Sequence, residues 1–182
     1  MFRETGRRRV WFMRYKEEKF EPRFMIPMKQ NGGLTLMVWG GFSYDTKTQL
    51  YVTSSDEQII DSKEYVKIIH RFAQDQLNES DLVLQQDNAP IHNSHYTLEH
   101  FDLMGIEPLD WPAKSPDLNP IENLWATIKQ QLARMTFSFR DDFQAKVVEA
   151  WNNYPQETLR NYINSLPKRV AACISAKGGW FK

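Results

Sequence analysis

Two carboxylates stand in contexts where their residue type could do chemistry. Asp87 follows the apolar residues Leu82, Val83 and Leu84 and the pair Gln85 and Gln86, in the stretch DLVLQQDNAPIH. An apolar run stopped by turn residues predicts a short buried strand, with Asp87 at its carboxyl end. Glu122 follows SPDLNP and falls in the first turn of a predicted helix. Carboxylates from separate elements can converge on Mg2+, a hard cation that takes oxygen ligands and keeps several waters. A pair of such ions can activate water and stabilise a leaving oxygen in phosphoryl chemistry. The helix N-terminus beside Glu122 is also a favourable place for a phosphate. Each residue has a plainer reading. Asp87 can open an Asx turn before Pro90. Asn119 with Glu122 three residues later is a variant of the capping box, and a carboxylate there suits the helix dipole.

The elements that must position these residues are legible in outline. LTLMVWGGFS (34–43) predicts a buried strand weakened at its end by Gly40 and Gly41. YDTKT predicts a turn and QLYVTS a return strand, making a β-hairpin. Asp61 or Ser62 can cap a helix running to about Leu77, with Tyr65, Ile68, Ile69, Phe72 and Ala73 on its apolar face. After the strand that ends at Asp87, a helix is expected over roughly 94–104, closed by Gly105. IEPLDW predicts a short strand. Asn119 can then cap a helix whose first residue is Pro120, with Ile121, Leu124, Trp125, Ile128 and Leu132 on one face. Two further helices are expected, over about 140–153 and 156–173. The order is hairpin, helix, strand, helix, strand, helices, an α/β pattern with a mixed sheet.

Composition narrows the classes. The 182 residues include 6 Trp, 7 Tyr and 11 Phe, a globular composition with enough chain for one substantial core. Cys173 is the single cysteine, which supports neither a disulfide framework nor a multi-cysteine zinc site and favours a reducing compartment. No apolar run approaches membrane-spanning length and no secretory segment is expected after Met1, so no membrane partner is expected. The net charge is zero but unevenly placed: residues 1–35 carry nine Lys/Arg against four Asp/Glu, and residues 155–182 five against one. Basic ends suit phosphate and an acidic middle suits a divalent cation, although both can equally be solvated charge.

QQDNAPIH together with WPAKSPDLNPIENLW resembles the catalytic core of the Tc/mariner superfamily of DNA transposases, and LMVWGGFS resembles the strand that precedes those motifs. The likeness runs from about Arg9 through the helix at 120–134, and more loosely beyond. It implies an RNase H-like fold, a mixed sheet flanked by helices, in which three carboxylates hold Mg2+ or Mn2+ for DNA cleavage and strand transfer. Asp87 matches the second acid and Glu122 the third, with the family's usual 34 residues between them. A glutamate in the last place resembles the Tc branch. Asp117 matches an approach-loop aspartate and is given no metal. Asn88, His92 and Asn119 fit the family pattern, and are expected to shape their loops or contact DNA. The resemblance further implies DNA as a partner, a homodimer or a full-length transposase as another, and the nucleus as the location.

The chain also departs from the family. The first catalytic aspartate, which ends the first strand of the fold, has no match here. Glu4 lies in a polar basic stretch, Asp45 in a hairpin turn, and Asp56 after TSS. The helix-turn-helix modules that read transposon ends are not matched either. The expectation is therefore an N-terminally truncated transposase. Residues 1–33 would form a basic arm and 34–182 a partial catalytic core lacking the first central strand. The backbone of residues 9–12 or a partner chain could stand in for that strand. Such a chain is expected to be inactive alone. Its rival reading is a non-catalytic remnant that binds DNA or protein, with Arg7, Arg8 and Arg9 beside Trp11 meeting phosphate and bases. A zinc site built from His92, His95, His100 and Glu99 is a weaker alternative without familiar ligand spacing.

Overall fold

Alternating residues of 35–52 build a thin antiparallel sheet. The computed structural model describes residues 2–3, 35–54, 59–79, 82–113, 115–137 and 139–178. In it β1 (Phe2–Arg3) pairs antiparallel with β2 (Thr35–Leu36). β3 (Val38–Trp39) pairs antiparallel with β4 (Tyr51–Val52), Val38 opposite Val52 and Trp39 opposite Tyr51. The strand expected over 34–43 is interrupted at Met37, whose carbonyl still accepts the Thr53 N–H at 3.0 Å. The turn falls where YDTKT predicts it: the Ser43 N–H donates to the Thr46 carbonyl at 2.8 Å, and the Ser43 hydroxyl accepts from the Thr46 N–H at 3.2 Å.

Successive strand residues point to opposite faces, and each face has its own core. Leu36, Val38, Phe42, Leu50 and Val52 meet a cluster that contains Leu124, Ile128, Phe143, Val147, Trp151 and Leu159. Met37, Trp39 and Tyr51 meet a second cluster that contains Tyr65, Ile68, Ile69, Phe101 and Ile106. Helices therefore cover both faces, the α/β arrangement read from the sequence. Gly40 lies on the first face, and a Cβ there would come 2.7 Å from the Trp151 ring. The glycine admits a buried indole rather than simply weakening the strand.

The second layer holds α1 (Ser62–Phe72), α2 (Gln74–Glu79) and α3 (His95–Met104). Asp61 caps α1, its Oδ1 accepting the Glu64 N–H at 2.8 Å. The helix expected through Leu77 breaks at Ala73, where φ is −130°, although neither glycine nor proline marks the place. Ser94 caps α3 and Gly105 closes it in the left-handed conformation at φ 68°.

The first layer holds α4 (Pro120–Leu132), α5 (Arg140–Asn152), α6 (Gln156–Asn164) and α7 (Leu166–Ser175). The single helix expected over 156–173 is two. Pro167 has no N–H to donate and its ring would clash with the preceding turn, so it is accommodated only in the first turn of α7. The hairpin is stapled to this layer by Lys47, whose Nζ donates to the carbonyls of Trp151, Asn152 and Tyr154 at 2.8, 3.0 and 2.7 Å. These carbonyls sit at and just beyond the C-terminus of α5, where a cation is favoured.

The strand leading to Asp87 is less buried than its sequence predicts. Among the described residues its one bridge is parallel, Leu84 to Pro108, supported by the Leu109 N–H on the Leu84 carbonyl at 2.8 Å. Leu82 is 39% exposed and Val83 58%. A strand is buried by its neighbours, and no ladder among the described residues joins this one to β2 or β3. The strand expected at IEPLDW reduces to the same bridge. The proposed stand-in at residues 9–12 and, apart from the β1 backbone, the basic arm lie outside the described residues. Among the described residues no helix is long and apolar enough to cross a membrane.

Candidate active site

Asp87 sits where a short parallel contact gives way to a loop. Its Oδ1 accepts the Ala89 N–H at 3.0 Å, the Asx turn that the sequence allows. The same oxygen lies 2.8 Å from Nδ1 of His92, and that nitrogen is also 3.0 Å from the Asp87 carbonyl. Both partners of Nδ1 are acceptors only, so Nδ1 carries the proton in this arrangement. The Asp87 side chain is 65% exposed and that of His92 17%. Oδ1 is thus committed to holding the loop, while Oδ2 accepts no hydrogen bond among the described residues.

His92 is held in turn from α1. The Tyr65 ring packs on the imidazole with centroids 4.5 Å apart, and its hydroxyl donates to Oε1 of Gln86 at 2.5 Å. Burial, then the nearby Asp87 carboxylate, holds the Tyr65 phenol well above its ordinary pKa. Asn88 faces the other way. Its Nδ2 donates to the Trp111 carbonyl at 2.7 Å and its Oδ1 accepts from Asn93 at 2.9 Å. Asn88 and His92 therefore shape the loop, one of the two roles expected of them.

Glu122 stands at the start of α4. The preceding residues form a 3-10 turn (Pro116–Leu118). Asn119 then caps α4 through Oδ1, which accepts the Ile121 N–H at 3.3 Å. A complete capping box would turn the Glu122 carboxylate back to the Asn119 N–H. That N–H is already donated to the Pro116 carbonyl at 3.0 Å. The Glu122 side chain has no hydrogen bond or ion pair among the described residues and is exposed. It lines a cleft of about 430 Å³ with Pro116, Asp117, Asn123, Lys168, Arg169 and Ala172. Arg169 crosses from α7, donating Nη1 to the Asp117 carbonyl at 2.7 Å and Nη2 to the Tyr162 carbonyl at 3.0 Å. Burial lowers the Arg169 pKa, against the raising effect of Asp117.

The structure thus gathers Asp87, Asn88 and His92 in one loop, and Asn119 with Glu122 at one helix start. No hydrogen bond among the described residues joins the two groups, and Asp87 does not line the cleft beside Glu122. Arg7, Arg8 and Arg9 lie outside the described residues, as do Glu4, Trp11 and Asp56. The free oxygens of Asp87 and Glu122 are hard donors and suit a cation that retains water, such as Mg2+ or Mn2+. No group of three or more His, Cys, Asp or Glu among the described residues is placed to hold a metal. The zinc alternative dissolves on geometry: His92 turns to Asp87, His95 to Glu99 at 3.7 Å, and His100 to the Tyr96 carbonyl at 2.8 Å. Tyr65 and Arg169 were not singled out from the sequence. Tyr65 reads as an apolar face position, and the partners of Arg169 are carbonyls, which carry no side-chain signal.

A hairpin sheet thus lies between two helical layers, with Asp87 at a loop and Glu122 at a helix start. The family model described as DDE superfamily endonuclease matches residues 5–144, and the chain belongs to that family. It is 32% identical over 171 residues to the Tc1 transposase of Caenorhabditis elegans, covering 92% of this chain and 62% of that protein. With the Tc3 transposase of the same organism the identity is 33%, over 90% of this chain and 50% of that protein. The chain therefore spans about half to three-fifths of the length of these relatives. The Mos1 transposase catalytic domain, solved with raltegravir and Mg, superposes with a TM-score of 0.70 at 20% identity, over 81% of this chain and 77% of that one. The Mos1 strand transfer complex gives 0.79 at 18% identity, over 100% and 53%. These likenesses carry the RNase H-like fold read from the sequence.

Proposed function

We propose that this chain is a Tc-like transposase catalytic domain that acts on DNA in the nucleus, with Asp87 and Glu122 as two of the carboxylates that hold Mg2+ or Mn2+. The observation that carries this reading is that both acids keep free oxygen although both have a structural use open to them. Asp87 makes its Asx turn through Oδ1 alone, and Glu122 is left out of the capping box because Pro116 takes the Asn119 N–H. When bound, the cation supplies Lewis acidity and a more acidic water for attack on a phosphodiester. The residues of the chain orient that chemistry. His92 and the Ala89 N–H fix the Asp87 carboxylate, and the positive end of the α4 dipole lies beside Glu122, where a phosphate is favoured. The names of the relatives, transposases of Caenorhabditis, and the Mg and Mn forms of the Mos1 domain support the choice of substrate and metal.

Two carboxylates hold a cation weakly, so cleavage calls for a third beside them. Mn2+ titration of the 182-residue chain, read by electron paramagnetic resonance, tests the assignment. Weak binding is expected, reduced about tenfold in Asp87→Asn and in Glu122→Gln and unchanged in Asp142→Asn. Equal affinity in all four proteins would remove the assignment. Supercoiled plasmid with Mg2+ is expected to stay intact with this chain alone. Nicking that disappears in Asp87→Ala would show that the carboxylates of this chain suffice. Salt-dependent DNA binding with no metal dependence at all would favour a binding role instead.

A further inference from the structure

Arg169 is spent on two backbone carbonyls rather than on a carboxylate. The acceptors belong to different elements: Asp117 in the 3-10 turn and Tyr162 near the end of α6. The side chain is half-buried, and its Nε is buried without a partner among the described residues. Partial desolvation of a guanidinium costs free energy, offset here by its hydrogen bonds to the two carbonyls. What it fixes is the turn. Residues 116–118 otherwise close on themselves, through the Leu118 N–H on Ser115 and the Asn119 N–H on Pro116, at 3.2 and 3.0 Å. Asn119 ends that turn, caps α4, and is followed three residues later by Glu122. Glu122 and Arg169 also line the same cleft.

We infer that Arg169 is a positioning residue for Glu122: by pinning the 116–118 turn to α6 and α7, it sets the direction in which α4 starts and hence where the Glu122 carboxylate points. The planar guanidinium suits this because two carbonyls on separate elements need two donors in a fixed fork. A lysine offers a point charge that reaches one of them well. The role rests on the proposed metal site, in that Glu122 is positioned for a cation. The pinning itself does not depend on that reading.

Hydrogen exchange and Mn2+ titration on the full chain, comparing wild type, Arg169→Lys and Arg169→Gln, separate the two. In Arg169→Gln, amides of residues 117–123 are expected to exchange about tenfold faster while those of residues 88–93 keep their rates. Mn2+ affinity is expected to fall about tenfold, with Arg169→Lys between wild type and Arg169→Gln in both measurements. Unchanged exchange at 117–123 in Arg169→Gln overturns the inference, as does faster exchange spread evenly over the whole chain. A Glu122→Gln protein that binds Mn2+ like wild type would defeat the metal reading on its own, whatever the exchange at the turn.

Discussion

Asp87 engages one oxygen in its loop and leaves the other free, and His92 makes that division. Nδ1 of His92 and the Ala89 N–H both address Oδ1, so the carboxylate cannot rotate without breaking a charge-assisted bond. An outer hydrogen bond of this kind typically matters about tenfold in metal affinity. His92→Ala is expected to weaken Mn2+ binding by about that factor in the same titration, while thermal denaturation stays cooperative. A protein that keeps full affinity would show that the Ala89 N–H alone orients the acid. The resemblance named Asp87, His92 and Glu122, while Asn119 was legible as a cap because cap chemistry is local. The sequence placed Tyr65 only on the apolar face of α1, because its contact with His92 joins residues 27 positions apart, a relation with no periodicity to read.

Helix caps and the hairpin were legible for the same reason: Asp61, Ser94, Gly105 and Asn119 act within a few residues of themselves. The DLVLQQ strand was legible only in part. Its apolar residues predict burial, but burial is conferred by neighbours, and among the described residues Leu84 has its bridge at Pro108 alone. The split at Pro167 could have been read from proline chemistry, whereas the break at Ala73 has no local signal. Lys47 is the least local of these features, since its three carbonyls lie more than 100 residues away. Burial pulls its pKa below the ordinary lysine value, while the three carbonyls favour the ammonium. Lys47→Met leaves those carbonyls without their cation and loosens the hairpin from α5. A loss of about 1–3 kcal/mol is expected in urea denaturation. A loss of only a few tenths would mean that water serves the carbonyls equally well.

Two tyrosines set how the whole molecule responds to alkali. Tyr154 is buried among the α4–α6 residues and its hydroxyl lies 2.7 Å from that of Tyr162. Burial first, and then Tyr162, pushes its pKa from 10.0 up to about 12. Tyr65 is raised likewise in the opposite layer. A raised acid binds its proton more tightly in the folded state. Its stabilisation is therefore full below the unfolded value and is lost as pH rises through the folded one. Circular dichroism followed from pH 9 upward should show stability falling from about pH 10 to about pH 12. Tyr154→Phe should flatten part of that fall, and an identical curve would assign the alkaline loss to other groups.

The two layers have a consequence for control. Asp87 hangs from the core that contains Tyr65, through His92, and Glu122 is carried by the helix whose Leu124 and Ile128 belong to the core that contains Tyr154. The carboxylates are thus held by separate cores with a thin sheet between them. Metal binding at the proposed site would work as a coincidence detector, registering only when both halves are folded at the same moment. In a chain melted on either side the proposed metal site would be lost, and the same alkaline titration, followed by Mn2+ affinity, would show affinity vanishing with the first layer to yield.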